Sequence, residues 1–335
     1  MRFSIRRVIT GVNIGSSSLK IAGIRSGKRP RVEFFEVVDY MESGLISKLQ
    51  DMNSSILVNF LSQLKEKYKI GKRGINLSIS GNGIRIFNLM LPKIPEKDIP
   101  GVVKWEVKPL IPWDIEHCEI DFFICKNNTK EDEKIPVISA ILEKVEFEKY
   151  DGIFKRSGIS LSTMEPEPLA VHNCFNLLNG EIQDQPFLLL NLGAKETQGI
   201  IMGREMVPVF RKINFGGILI NEVFEKTLNI SYMQAEKIKR EVINESFQMS
   251  GELVRELKSR IDVQESAIHK LGSEINRILK QFITEIDSIF KYFETRGNGG
   301  KISNIYLTGG TAGWKPLRIS IEKLFKIPVD IWNPL

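Results

Sequence analysis

The sequence predicts an α/β protein built from two related lobes. In the segment 8–24, an apolar strand, a Gly-Ser turn and a return strand follow one another. The segment 186–202 repeats this order of strand, asparagine, glycine, polar turn and return strand in the second half of the chain. A late buried-type strand at 302–307 ends in Gly309-Gly310 and precedes a helical pattern. Strands that alternate with helical patterns in this way indicate an α/β fold.

The composition is typical of a soluble globular protein with room for two domains. The chain has 335 residues, of which 42% are hydrophobic and 26% are charged. Its formal net charge of +6 suits an acidic partner or an anionic membrane surface. The basic residues are too dispersed to indicate nucleic-acid binding.

The cysteines and histidines predict neither a disulfide nor a metal site. They are scattered without redox or metal-ligand spacing, at Cys118, Cys125, Cys174, His117, His172 and His269. We expect free thiols in a reducing compartment. No apolar run approaches the roughly 18 to 20 residues that a membrane span needs, so a cytoplasmic protein is expected.

The first half combines short strands with a proline-rich segment. Apolar patterns predict strands at 31–40, 74–79, 84–91, 119–126 and 135–143, and helices at 53–69 and 145–156. Between 92 and 117, prolines surround a short helix that carries Trp105, and Trp113 follows it. Because prolines fix corners in the backbone, this segment predicts a separate small subdomain.

The second half carries a meander of strands and a long amphipathic helix. Strands are predicted at 186–192, 198–202, 206–213, 302–307 and 329–332. A helix follows Gly216-Gly217, and Ser231 with Gln234 forms a capping-box pattern before another. From 263 to 293 the apolar residues form one stripe, which favours a core-facing helix over a coiled-coil surface.

The turn at Gly15 to Ser18, with Lys20 behind it, has the chemistry of a phosphate cradle. Three hydroxyls, a glycine and a lysine place donors and positive charge where an anion could bind. Alone, such a pattern is more often only a turn. A nucleotide between two lobes, however, needs a turn from each lobe and a glycine corner that the adenosine can approach. The two hairpins and Gly309-Gly310 together therefore predict a nucleotide clamp.

This order of motifs resembles the phosphate-1, phosphate-2 and adenosine motifs of the actin-like ATPase superfamily. More specifically, the chain is similar to the PilM family, the actin-like proteins of type IV pilus assembly. The similarity covers essentially the whole chain, and the residues that carry it lie at 15–20, 91–92, 105–106, 111–113, 215–217, 235–239, 307–310 and 327–334. The Trp-Glu and Ile-Pro segment discriminates best, since generic actin-like proteins lack it.

The resemblance implies a two-lobed actin-like (ribonuclease H-like) ATPase fold with a small subdomain inserted in the first lobe, as in the cell-division protein FtsA. We expect the first lobe at 1–185, with its insert at about 85–155. The second lobe is expected at 186–335, with a mostly helical subdomain at about 222–299.

The resemblance also implies that ATP or ADP binds in the clamp. Glu236 and Lys239, three apart on one helix face, would reach the ribose and base; without the family they predict a solvated ion pair. The residues expected to contact the nucleotide are Asn13, Gly15, Ser16, Ser17, Ser18, Lys20, Asn191, Gly193, Ala194, Lys195, Thr197, Gly216, Gly217, Glu236, Lys239, Gly309, Gly310 and Thr311.

One departure from the family pattern concerns hydrolysis. Both phosphate motifs normally begin with aspartate, and here the residues are Asn13 and Asn191. Asparagine brings no negative charge to Mg²⁺, so metal-assisted hydrolysis is expected to be weak or absent while nucleotide binding persists. Glu165 is the one nearby acid considered as a water-orienting residue, although a strand-end surface carboxylate explains it better.

The family implies an interaction scaffold at the inner membrane, held there by protein partners. Its expected partner is the cytoplasmic tail of a PilN-like inner-membrane protein, besides other pilus components and a second copy of the chain. We expect the tail at 92–113, with Trp105 and Trp113 as contacts, although internal packing explains these tryptophans equally well. The alternatives are an L-type scaffold of type II secretion and a small-molecule kinase of the actin-like superfamily.

Overall fold

The computed structural model describes residues 8–27, 30–46, 53–70, 74–125, 134–179, 185–204, 206–241, 264–295 and 300–334. The chain divides into two compact units, Met1–Asn173 and Cys174–Leu335. The lobe and subdomain limits expected from the sequence remain predictions.

The first unit is organised around a five-stranded mixed sheet. Its strands are β1 (Val8–Ile14), β2 (Ser18–Arg25), β3 (Arg31–Asp39), β4 (Ile75–Ile79) and β8 (Leu161–Pro166). The order is β3-β2-β1-β4-β8, with β1, β4 and β8 parallel and the other pairs antiparallel. Helices α1 (Ser54–Lys67) and α3 (Lys144–Arg156) bury apolar residues in a common core with this sheet.

A smaller antiparallel sheet lies within the first unit. It consists of β5 (Ile84–Pro92), β6 (Cys118–Ile124) and β7 (Lys134–Glu143) in the order β5-β7-β6. Helix α2 (Ile99–Val107) is flanked by short 3₁₀ turns at Glu96–Asp98, Lys108–Leu110 and Ile115–His117. The sheet and α2 share an apolar core of their own that includes Leu91, Val103 and Val137.

The second unit repeats the five-stranded sheet. Its strands are β9 (Phe187–Leu192), β10 (Thr197–Met202), β11 (Val209–Ile213), β12 (Asn304–Thr308) and β13 (Val329–Ile331). The order β11-β10-β9-β12-β13 and the strand directions match those of the first sheet. Helix α4 (Glu167–Asn179) follows β8 and contains the boundary between the two units. The helices of the second unit are α5 (Gly217–Leu228), α6 (Tyr232–Glu241), α7 (Glu265–Thr295) and α8 (Lys315–Phe325).

Helix α7 confirms the prediction of a core-facing helix. Its apolar stripe enters the main core of the second unit, where Ile268, Ile278 and Ile286 are almost completely buried. Full burial of each such side chain contributes about 1.5 to 3 kcal/mol, which explains why this stripe packs inward. The capping box at Ser231 is also confirmed, because its backbone N–H donates to the Gln234 side chain at 2.9 Å.

The prediction from the sequence differs from the structure in two places. It omitted β8 and α4, because Leu161–Pro166 is short and prolines flank the start of the helix. It began the third strand of the second unit at 206, whereas β11 begins at Val209, directly after Pro208.

Candidate functional site

The turn between β1 and β2 is held closed by its own backbone and by a buried tyrosine. The Gly15 N–H donates to the Ser18 carbonyl at 3.0 Å, and the Tyr40 N–H donates to the Ser17 carbonyl at 3.0 Å. The Tyr40 hydroxyl donates to the Gly15 carbonyl at 3.2 Å. Burial raises the pKa of Tyr40, so its hydroxyl remains a protonated donor across the ordinary pH range.

Among the described residues, this turn presents three hydroxyls without hydrogen-bond partners and one ammonium without an ion-pair partner. Within the described part of the chain, the side-chain hydroxyls of Ser16, Ser17 and Ser18 have no hydrogen-bond partner. Lys20 Nζ donates to the neutral Asn13 Oδ1 at 3.3 Å, and no carboxylate of the described residues pairs with it. A positive charge without a counter-ion beside three free hydroxyls fits a phosphate group.

Asn13 acts as a donor to an acid. Its Nδ2 lies 3.3 Å from Glu167 Oε1 and 3.4 Å from both the carbonyl oxygen and Oγ of Ser78. Its Oδ1 faces the Lys20 ammonium, so the surrounding groups fix which way the amide points. The position therefore suits an amide, because a carboxylate there would face a second carboxylate.

Glu167 is the functional candidate that sequence reasoning missed. It is the first residue of α4, at the end of β8, and β8 lies in the same sheet as β1. An acid between Pro166 and Pro168 at a strand-to-helix junction was the available signal, since proline often opens a helix. Glu167 places a carboxylate beside Asn13, where the sequence analysis expected none.

Glu165, the acid considered from the sequence, has a different environment. It lies next to the end of β8 in register with Ser78, and it is half-buried. Burial raises the pKa of Glu165, and a hydrogen bond from Asn173 Nδ2 at 2.8 Å opposes the rise. Its carboxylate is thus bound by Asn173, whereas the acid that touches Asn13 is Glu167.

The second turn has the same closure as the first. The Gly193 N–H donates to the Glu196 carbonyl at 3.1 Å, as Gly15 does to Ser18. Lys195 is exposed at the tip of this turn. Thr197 is fully buried, and its hydroxyl donates to the Phe215 carbonyl at 2.7 Å. Thr197 therefore holds the hairpin together, and its hydroxyl is already used.

The start of α5 is packed against the second turn. The Gly217 N–H donates to the Gly193 carbonyl at 3.1 Å, and the Ile218 N–H donates to the Ala194 carbonyl at 2.8 Å. A Cβ at Gly216 would lie 2.4 Å from the Ala194 oxygen, so only glycine permits this approach. The two glycines thus fix the turn to the helix N-terminus.

The corner after β12 completes this cluster. Gly309 has a φ of +92°, and a Cβ there would lie 2.5 Å from the Leu192 oxygen and 2.7 Å from Asn191 Oδ1. Thr311 donates its N–H to Leu192 and its hydroxyl to Gly193, each at 3.1 Å. Gly310, in contrast, borders open space. The corner therefore brings the backbone of β12 directly against the second turn.

Glu236 and Lys239 form a buried ion pair at 2.6 Å, and the alternative of a solvated pair is wrong. Their side chains are 16% and 8% exposed, respectively. Lys239 also donates to the Gly217 carbonyl at 3.3 Å. Burial opposes ionisation of Glu236, but the Lys239 charge and hydrogen bonds from Asn221, Lys239 and Arg240 outweigh it, so the pKa of Glu236 is lowered.

Two polar groups of this cluster have no hydrogen-bond partner within the described part of the chain. Asn191 is buried, and its amide has no hydrogen-bond partner among the residues that the structure describes. The Oδ1 atom of fully buried Asn221 is also without a partner in that part of the chain. The unpaired amide of Asn191, beside the corner at Gly309, fits a polar ligand such as a nucleotide, whereas Asn221 Oδ1 is enclosed by the protein.

The predicted site residues form two groups, one in each unit. Those of the first unit surround the first turn, and those of the second unit converge on the second turn, with Thr197 facing away into the hairpin. The tryptophans lie elsewhere. Trp105 on α2 is 72% exposed, whereas Trp113 packs against the core of the small sheet, with the Arg85 guanidinium 5.0 Å from its ring.

Neither a membrane span nor a metal-ligand cluster is found in the ranges that the structure describes. Over those residues, no helix is both long and apolar enough to cross a bilayer. The same ranges contain no group of three or more His, Cys, Asp or Glu side chains arranged to hold a metal ion.

Comparison with known proteins identifies relatives over the full fold. The family described as "Type IV pilus assembly protein PilM" matches residues 11–335. The structure of a "PilM-PilN type IV pilus biogenesis complex" is 20% identical, with a TM-score of 0.78, and the match covers 98% of this chain and 89% of that one.

Two further structures are more distant. A Bacteroides thetaiotaomicron protein "with actin-like ATPase fold and unknown function" is 9% identical with a TM-score of 0.51, covering 100% of this chain and 94% of that one. MreB5 of Spiroplasma citri bound to AMPPNP is 12% identical, with a TM-score of 0.51 and coverage of 97% and 91%. These matches show that the fold is actin-like, as the sequence predicted.

Proposed function

Because the chain belongs to the family of the type IV pilus assembly protein PilM, we propose that it is a nucleotide-binding scaffold that captures the cytoplasmic tail of a PilN-like protein. Such a partner would hold the chain at the inner membrane. The relative whose complex with PilN has been solved supports this choice of partner.

The tail is proposed to bind on the segment 92–113, and the exposure of Trp105 is the main observation that supports this position. Trp105 is 72% exposed on α2, although a side chain of this size is usually mostly buried. Leu110, on the following 3₁₀ turn, is also exposed. Prolines stiffen this backbone, and a rigid surface with an exposed aromatic residue suits an extended peptide.

A binding titration with a labelled peptide of the PilN-like tail tests this proposal. Trp105→Ala is expected to weaken binding at least tenfold, which corresponds to about 1.4 kcal/mol, with an unchanged melting temperature. Leu324→Ala, which removes an exposed apolar side chain from α8, is the matched control. Equal affinity of Trp105→Ala and wild type would refute this site. Trp113→Ala is expected to lower stability first, because its ring packs on a core.

ATP or ADP is the proposed ligand of the two turns. Lys20 and the hydroxyls of Ser16 to Ser18 would bind its phosphates from the first unit, since nothing described in the chain neutralises Lys20. From the second unit, the backbone around Gly193 and Gly310 and the open amide of Asn191 would contribute further contacts.

Glu236 and Lys239 are proposed to stabilise the site and not to contact the nucleotide directly. Because they bind each other and Lys239 binds the Gly217 carbonyl, they fix α6 against the start of α5. Glu236 also orients Asn221, whose Nδ2 donates to the Glu236 carboxylate at 2.6 Å.

Hydrolysis is proposed to be slow. The residues at the start of the turns, Asn13 and Asn191, bring no charge to Mg²⁺, and Glu167 is the single carboxylate in contact with Asn13 among the described residues. Phosphate cleavage requires the charge neutralisation that Mg²⁺ supplies when it is bound. Glu167 alone could hold one water of a hydrated Mg²⁺, which is less support than two aspartates at the turns would give. Rapid magnesium-dependent turnover by the wild-type chain would contradict this part of the proposal.

A further inference from the structure

The first turn keeps a full positive charge. Lys20 stands opposite Asn13 in the hairpin of β1 and β2, and its Nζ atom donates to Asn13 Oδ1 at 3.3 Å. Among the described residues, no carboxylate pairs with this ammonium. Because an amide oxygen is neutral, the charge of Lys20 stays available to an anion at the turn.

The amide of Asn13 separates this ammonium from an acid. Its Oδ1 atom faces Lys20, and its Nδ2 atom donates to Glu167 Oε1 at 3.3 Å and to Ser78 Oγ at 3.4 Å. Both polar atoms of the side chain are therefore used inside the protein. A metal ion at this position would have to take Oδ1 away from Lys20.

Mg²⁺ does not fit the donors at the first turn as a resident ion. It requires oxygen ligands at about 2.0 to 2.1 Å, and proteins usually bind it through carboxylates together with substrate phosphates. An ion on Asn13 Oδ1 would lie within about 5.4 Å of the Lys20 ammonium, and the two cations would repel each other. Glu167 offers one carboxylate, and one of its oxygens accepts from Asn13.

Two acids around the second turn are already neutralised. Glu196 pairs with Lys212 at 2.8 Å, and Glu236 pairs with Lys239 at 2.6 Å. Lys195, exposed at the tip of this turn, has no ion-pair partner in the described part of the chain. The second turn thus resembles the first, because the charge that it presents is positive.

This balance of charge removes the reason for a divalent ion. An aspartate in place of Asn13 would face a bound phosphate with a second negative charge, and Mg²⁺ offsets repulsion of that kind. With asparagine there is no such repulsion. The Lys20 ammonium and the hydroxyls of Ser16, Ser17 and Ser18 supply the positive charge and the donors that a phosphate needs.

We propose that this chain binds the phosphates of ATP or ADP in their metal-free form, with the Lys20 ammonium as the counter-charge in place of Mg²⁺. This proposal rests on the proposed function, because it specifies the form of the same nucleotide. The position of one carboxylate becomes decisive. With the acid at the start of α4 the site needs no metal ion, and with the acid on β1 it does.

Isothermal titration of ATP into the full chain tests the proposal in two buffers of equal ionic strength, one with EDTA and one with excess Mg²⁺. We expect ATP to bind in EDTA, and Mg²⁺ to raise the affinity by no more than twofold. A larger gain with Mg²⁺, or binding with Mg²⁺ alone, would overturn the metal-free form and leave the proposed function intact. Absence of binding in both buffers would instead refute the proposed function, and the metal-free form with it.

An exchange of acid and amide tests the role of the carboxylate. Asn13→Asp with Glu167→Gln moves the acid from α4 to the first turn at constant net charge, and we expect ATP to bind at least tenfold more tightly with Mg²⁺ than in EDTA. Asn88→Asp with Glu119→Gln makes the same exchange between exposed positions of β5 and β6, and this control should behave as the wild type does. A folded exchange variant that gains nothing from Mg²⁺ would overturn the role given to this carboxylate. The titration of the wild type does not depend on whether the variant folds.

Discussion

At the scale of single residues, the contacts of Asn13 explain more of the site than the glycine and serines of the turn do. From the sequence alone, its amide is a loss of the family's aspartate. The structure shows that Nδ2 donates to Glu167 and to Ser78, while Oδ1 accepts from Lys20. The negative charge in contact with Asn13 therefore lies at the start of α4.

Exchange of the amide and the acid tests this interpretation. Asn13→Asp places two carboxylates about 3.3 Å apart, so we expect a loss of about 2 kcal/mol at pH 7.5. The repulsion raises a carboxyl pKa in the folded state, so the loss should shrink as the pH falls below 5. Thermal unfolding measures both effects. Asn13→Asp with Glu167→Gln restores one acid and one amide and should recover most of the stability; no recovery would contradict the interpretation.

The buried pair of Glu236 and Lys239 gives a second prediction at this scale. Because the folded-state pKa of Glu236 is lowered, its stabilisation is present above the unfolded pKa, about 4.3, and is lost as the pH falls. Glu236→Gln leaves Lys239 buried without a charge partner, so we expect a cost of about 3 kcal/mol at pH 7.

The pH dependence of the melting temperature checks this expectation. The gap in melting temperature between wild type and Glu236→Gln should stay nearly constant from pH 7 to pH 5 and narrow as the pH falls below about 4.3. Glu222→Gln removes an acid from an exposed pair on α5 and serves as the control, with a gap near zero throughout. A pH-independent gap for Glu236→Gln would mean that packing, rather than charge, determines its effect.

At the scale of elements, the strand-to-helix corner after β12 contains two glycines, and its conformation depends on only one of them. Gly309 has a positive φ and no space for a Cβ, whereas Gly310 borders open space. The sequence pattern made both candidates for ligand contact. The structure assigns Gly309 to backbone packing against β9, and Gly310 is the one with room beside it.

Alanine substitutions separate these two roles. Gly309→Ala should lower the free energy of unfolding by about 2 to 4 kcal/mol, because the new Cβ meets the Leu192 carbonyl and the backbone is strained. Gly310→Ala should change it by less than about 0.5 kcal/mol. Urea denaturation of both variants provides the comparison. Similar losses in the free energy of unfolding for the two variants would contradict the different roles of Gly309 and Gly310.

Local patterns predicted the elements that had long or regular signals. Helix α7 followed from an apolar stripe, and the two hairpins followed from apolar strands around Gly-polar turns. Strand β8 and helix α4 were missed because a short segment between prolines has neither clear alternation nor helical spacing. Their omission also hid Glu167, since its contact with Asn13 spans 154 positions in the chain.

At the scale of the whole molecule, the repeat of the two sheets organises the chain. Both have the same strand order and the same closed turn, yet the turns differ in chemistry. Lys20 in the first corresponds to Gln198 in the second, as strand pairing shows. The overall fold was therefore predictable from the repeated pattern, while the environment of each asparagine depends on contacts that no local pattern encodes.

The central claim is that this member of the PilM family binds a nucleotide through the lysine behind its first turn. Isothermal titration of ATP with Mg²⁺ into the full chain tests it most directly. Lys20→Gln copies the residue of the second turn, and Lys226→Gln removes an exposed lysine of α5 as the control. We expect wild type and Lys226→Gln to bind alike and Lys20→Gln to bind at least tenfold more weakly, with all three equally stable. Undiminished affinity of Lys20→Gln, or no binding by the wild type, would contradict the account.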